Sequence, residues 1–171
     1  MSTSSPTSSP TSSSTDPARE LRAEVVVAAP PRVVWQALTD LRAMATWSPE
    51  LVRMVALKPG GLRRGQWYVG VNRRGAFVWP TRNVVAVLDP ERTLAWDTPT
   101  SGARWVYELA AEGEGTRVVH RRPVPEGPSR LSSLVAGLLL GGAAEHAEEL
   151  EQGMARTLEG LRAAAERASA A

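Results

Sequence analysis

Between residues 22 and 122 the apolar positions fall in short runs that alternate with polar ones, and from residue 143 onward they recur every three or four residues instead. RAEVVVAAP (22–30) is rich in β-branched residues and stops at Pro30-Pro31, which predicts a first strand. Pro31 suits the first turn of a helix, where its missing N–H costs nothing. Val34, Leu38 and Leu41 then recur at helical spacing with Trp35 beside their stripe, predicting a helix to about Asp40 and a second short turn to Trp47, broken at Ser48-Pro49. Six strands follow, within residues 50–58, 65–75, 76–89, 92–98, 103–111 and 116–122, separated by turn clusters such as Lys58-Pro59-Gly60-Gly61 and Arg73-Arg74-Gly75. Connections this short force antiparallel neighbours. Pro80 cannot donate to a ladder, so a bulge or bend is expected there. Over residues 143–169, Leu150, Met154, Leu158, Leu161 and Ala165 form one stripe of a helix about 40 Å long.

Alternation along strands decides which side chains share a face. Tyr68, Gly70 and Asn72 go together, as do Phe77, Trp79, Thr81 and Asn83 if Pro80 leaves the register intact. Leu94 and Trp96 form a third set; Trp105, Tyr107 and Leu109 a fourth; Thr116, Val118 and His120 a fifth. These sets hold most of the aromatic area and are assigned to the inner face, while Arg104, Glu108, Arg117 and Arg121 suit solvent.

Composition narrows the chemistry. Residues 1–17 are almost wholly Ser, Thr and Pro, with no apolar surface to offset the entropy of ordering. A disordered tail over 1–20 and one domain over 21–169 are expected. The start lacks the pattern of a secretory signal, and no run reaches the ~20 apolar residues of a membrane span, so a cytoplasmic protein without a transmembrane segment is expected. Cysteine is absent, which excludes disulfides and thiolate chemistry, and with only His120 and His146 as imidazoles no metal site is expected. The net charge of +2, carried by 19 Arg and one Lys against 18 acidic residues, does not indicate a nucleic-acid partner. The pairs Arg63-Arg64, Arg73-Arg74 and Arg121-Arg122 lie near strand ends and are expected to be solvated. No Ser-His-Asp arrangement, Gly-rich phosphate loop or paired carboxylates can be read.

Six Trp and two Tyr stand against a single Phe, a bias toward rings with one hydrogen-bonding tip. Together with Asn72, Asn83 and His120 it favours an apolar pocket holding a few placed polar groups, although any one of these rings also serves as plain core. His120 is the candidate for proton transfer, the alternative being a buried strand histidine bonded to a neighbour. His146 stands beside Glu145, Glu148 and Glu149 and is expected in solvent; Leu150 occupies the place where a helical zinc motif needs a second imidazole.

The order of elements, with Val34-Trp35, Asp40 and Trp47, Tyr68 to Gly75, Trp79 with Thr81, Leu94-Ala95-Trp96, Trp105 to Leu109, Gly115 to Val118, and Gly153-Met154 with Thr157-Leu158-Glu159, resembles the START-like or Bet v 1-like (SRPBCC) superfamily, in its bacterial polyketide cyclase/dehydrase and lipid-transport branch. The resemblance implies an α+β helix-grip fold: a seven-stranded antiparallel sheet curved around a long C-terminal helix, two short helices between strands 1 and 2, and a mostly apolar cavity between sheet and helix. It implies carriage of a hydrophobic small molecule, such as an aromatic polyketide, lipid or acyl compound, with no cofactor. The alternatives are a polyketide cyclase/dehydrase-type enzyme using the same cavity, and a protein-interaction module. The candidate cavity residues are Trp47, Tyr68, Asn72, Trp79, Asn83, Trp96, Trp105, Tyr107, His120, Leu138, Met154 and Leu158. In a cyclase, Tyr68, Asn72, Arg82 and His120 would polarise carbonyls, though parity puts Arg82 opposite to Trp79. The apolar run 131–140 is half a membrane span and is read as a portal segment over the pocket, with static packing as the alternative.

Overall fold

The computed structural model of the protein describes residues 20–123 and 143–171. The chain runs β1 (Leu21–Val27), α1 (Pro31–Thr39), α2 (Met44–Trp47), β2 (Leu51–Ala56), β3 (Trp67–Arg74), β4 (Phe77–Asp89), β5 (Thr93–Thr98), β6 (Ala103–Glu112), β7 (Gly115–Arg122) and α3 (Ala143–Ser169). The strands make one antiparallel sheet in the order β1-β7-β6-β5-β4-β3-β2. Consecutive strands from β2 onward are neighbours because their turns are short; β1 is the exception and closes on β7. α3 packs on the inner face, and with β1, α1 and α2 it encloses a core in which Val27, Val34, Leu38, Leu94, Val118, Leu158 and Leu161 are sealed from solvent. This is the helix-grip arrangement.

Local chemistry explains the joints. Pro30 caps α1 and Pro31 fills its first position. Asp40 Oδ1 accepts the backbone N–H groups of Arg42 and Ala43 at 3.0 Å each, which stops α1 and starts the turn into α2. Thr116 at the start of β7 donates to the Ala29 carbonyl at 2.7 Å, and Ala28 N–H donates to Glu166 of α3 at 2.9 Å, so both ends of the β1–α1 joint are held. At the opposite end of the sheet, Glu149 pairs with Arg74 at 2.6 Å and Glu151 accepts from Arg22 N–H at 3.2 Å. α3 therefore runs the length of the sheet.

Proline 80 departs from expectation. It stays in unbroken register opposite Val71, within the part of β4 that extends past β5 and has β3 alone as partner. That is an edge environment, where a missing N–H is tolerated. The register shift of β4 lies instead between Val85 and Val87, where β4 is paired on β5, and it brings Leu88 opposite Leu94.

Gly160 makes the approach of α2 to α3 possible, since a Cβ there would lie 2.5 Å from Trp47 Cβ and 2.6 Å from the Trp47 carbonyl oxygen. Gly160→Ala is therefore expected to lower stability by about 1–3 kcal/mol through overpacking. At an open helix position the same change would raise it by ~1 kcal/mol. A lower urea midpoint checks this, and a raised one would refute the contact.

Candidate functional site

The strand registers put the aromatic and amide side chains on the face toward α3. Tyr68 lies opposite Asn83, Gly70 opposite Thr81 and Asn72 opposite Trp79; Trp96 lies opposite both Val85 and Trp105, and Tyr107 opposite both Leu94 and His120. The outer face carries ion pairs: Arg104 is bidentate on Asp97 at 2.6 and 3.0 Å, and Arg121 bridges Glu108 and Glu20. Arg82 also faces outward, stacked over Trp67 at 5.0 Å. It takes no part in the inner face.

Four rings form an aromatic wall across β5, β6 and β7. His120 stacks on Tyr107 with ring centres 4.0 Å apart and planes at 14°. Trp105 is 5.6 Å from His120, and Trp96 meets Tyr107 edge-on at 5.9 Å. Burial dominates the electrostatics here. It pushes the His120 imidazole down to about 3, so the ring is neutral at pH 7 and a weak base, and it pushes the Tyr107 hydroxyl well above the usual phenol range. Neither ring nitrogen of His120 has a hydrogen-bond partner, and neither does Trp47 Nε1, although all are sealed from solvent.

Beside the wall runs a polar ladder. Thr98 donates to Asn83 Oδ1 at 2.7 Å, and the Asn83 and Asn72 amides both donate to Thr81 Oγ1, at 3.2 and 3.1 Å. Gly70 leaves the space for it, because a Cβ there would lie 2.8 Å from Thr81 Oγ1 and 3.2 Å from Asn83 Nδ2. Asn72 and Asn83 are thus engaged with protein groups, which suits a fixed lining with defined donor and acceptor positions.

The remaining candidates divide. Tyr68 is buried, but its hydroxyl donates to the Gly61 carbonyl at 3.3 Å and holds the β2–β3 loop. Trp79 stacks on Phe77 at 5.4 Å, at the far tip of the β3–β4 hairpin from His120. Trp47, Met154 and Leu158 are buried on the helical side. Leu138 and the segment 131–140 lie outside the described residues, as do the tail 1–19 and the side chain of His146. Two open depressions, of about 280 and 450 Å³, sit near Pro31 and Pro90 at the other end of the sheet, and neither is lined by a residue of the expected set.

Arg122 departs from its expected place in solvent. It shares the parity of His120, its Nε is sealed without a partner, and its guanidinium lies 5.1 Å over the Trp105 ring. Burial lowers its pKa, although a guanidinium remains charged. The alternation that placed His120 on the inner face could have found it; its charge and position at a strand end pointed outward. Among the described residues no three His, Cys, Asp or Glu converge as a metal site, and no helix is long and apolar enough to cross a membrane.

A family model described as polyketide cyclase / dehydrase and lipid transport matches residues 18–166. No curated protein matches. Among solved structures, the Zhui aromatase/cyclase from Streptomyces sp. R1128 is 25% identical with a TM-score of 0.64, over 87% of this chain and 94% of that one. TTHA0849 from Thermus thermophilus is 21% identical with a TM-score of 0.62, over 88% and 99%. The di-domain ARO/CYC StfQ from the steffimycin biosynthetic pathway is 13% identical with a TM-score of 0.66, over 88% of this chain and 50% of that one.

Proposed function

Since the chain belongs to the polyketide cyclase / dehydrase and lipid transport family, we propose that it binds a hydrophobic, ring-bearing or acyl small molecule between the inner face of the sheet and α3, and acts as a carrier. The observation that carries this reading is the aromatic wall of Trp96, Tyr107, Trp105 and His120 with the unpartnered nitrogens of His120 inside it. A buried polar atom without a partner is costly in a static core, whereas a ligand site needs a few such atoms to orient its guest.

The second reading, an aromatase/cyclase-type enzyme, is supported by the likeness to the Streptomyces enzyme. Against it stands the weak basicity of His120, since general-base catalysis is most efficient with a pKa near the working pH. Mass spectrometry of an organic extract of the purified protein tests the carrier, and a co-purified apolar molecule is the expected result. At a hundredfold its Kd the same compound is expected to add about 2.7 kcal/mol. That corresponds to a Tm rise of about 5–10 °C for a chain of this size. An empty extract with no Tm shift across aromatic polyketides and acyl compounds would end the carrier reading; turnover of an aromatic polyketide, lost in His120→Ala, would replace it with the enzyme.

A further inference from the structure

The one inner-face strand residue with a full charge and no ion-pair partner, among the described residues, is Arg122. The other inner-face cation, Arg74, is neutralised by Glu149 at 2.6 Å. Arg122 stands at the end of an unbroken row: its guanidinium covers Trp105 at 5.1 Å, and Trp105 lies opposite Trp96 on the next strand. Its neighbour Arg121 points the other way and is satisfied by Glu108 and Glu20. The Arg122 Nε–H is sealed from solvent with no acceptor, and His120, on the same face two residues earlier, offers two further unpartnered nitrogens beside the same Trp105 ring.

The Trp105 face attracts the guanidinium but accepts no conventional hydrogen bond from its sealed Nε–H, so the cation is complemented only in part. Among the described residues, the acidic side chains ion-paired with β7, Glu108, Glu20 and Glu112, are engaged by Arg121 and Arg117, and Glu151 of α3 accepts from the Arg22 N–H. We infer that Arg122 is the anchor for a carboxylate on the ligand, so that the guest is an apolar acid whose body lies along Trp105 and Trp96 and whose head meets the guanidinium, with the neutral His120 as a further donor. The fork of a guanidinium matches a carboxylate's two oxygens. A single charge is also what one guanidinium neutralises; a phosphate dianion would leave a second charge among neutral rings. This rests on the carrier reading above and specifies its ligand class.

The test compares two acids with their uncharged esters, anthracene-9-carboxylate with its methyl ester and dodecanoate with methyl dodecanoate, by calorimetry at pH 7.5 on the full chain. Wild-type protein is expected to bind at least one acid roughly ten- to hundredfold more tightly than its ester. Arg122→Gln is expected to abolish that preference while keeping the ester affinity, and Arg122→Lys to retain part of it through charge without the fork. Equal binding of acid and ester by wild type, or a preference that survives in Arg122→Gln, overturns the anchor and leaves the apolar site standing. Binding of no member of either pair removes the apolar site and the anchor with it. Far-UV circular dichroism of both variants separates lost preference from lost fold.

Discussion

His120→Phe is expected to separate from the wild type progressively in acid, with its relative stability growing by about 1.4 kcal/mol for each pH unit below 6.5. The imidazole is forced down to about 3 in the fold by burial, from its ordinary value of 6.5. As pH falls through 6.5 the unfolded chain takes up a proton that the folded chain refuses until about 3, so protonation favours unfolding across that window. The contribution is therefore intact above 6.5 and is lost as pH falls. Carboxylates that also titrate there are common to both proteins, so the difference isolates His120. At pH 7 the variant is further expected to be about 1 kcal/mol more stable, since phenylalanine keeps the stack on Tyr107 at 4.0 Å and removes two sealed, unpartnered nitrogens. Urea midpoints at pH 7, 5 and 4 check both statements. Parallel pH profiles for the two proteins would show that the imidazole is not buried in this way. A residue whose removal stabilises the fold is better explained by ligand contact than by packing.

Leu158→Ala is expected to cost about 2–5 kcal/mol, the range for truncating a sealed leucine. Leu158 is 1% exposed on α3 and belongs to the same apolar cluster as Trp96, Tyr107 and Leu94 across the sheet. The loss should appear as a lower urea midpoint at unchanged slope. A cost well under 1 kcal/mol would show that the side chain faces open space and not packed neighbours. An apolar ligand bulkier than the wild type accepts would then bind the variant more tightly.

Much of the fold is legible in the chain because strand and helix periods are local properties. The span of α3, the split of the first helical pair at Asp40 and the inner-face sets of β3 to β7 all follow from spacing and punctuation. The bulge is not legible, because Pro80 is a visible breaker that draws it to the wrong place, while Val85, Ala86 and Val87 are uniformly apolar and hide a slip of one residue. At Arg122 charge argues for solvent and parity with His120 argues for the inner face, and parity prevails. Tyr68 reads as a polar tip for a guest, but the Gly61 carbonyl, brought back by the β2–β3 loop, accepts its hydroxyl proton.

By itself the sequence determined which residues share a face, since period-two alternation passes along a strand without reference to its neighbours. It also determined that the inner face would be aromatic and poor in charge. Only the tertiary structure decided which of those side chains have partners. Hydrogen bonds and ion pairs across a sheet depend on register between distant segments and on what the opposing helix seals from water, so Asn83 is satisfied by Thr98 and Thr81, while His120 and Arg122 keep nitrogens with nothing to bind.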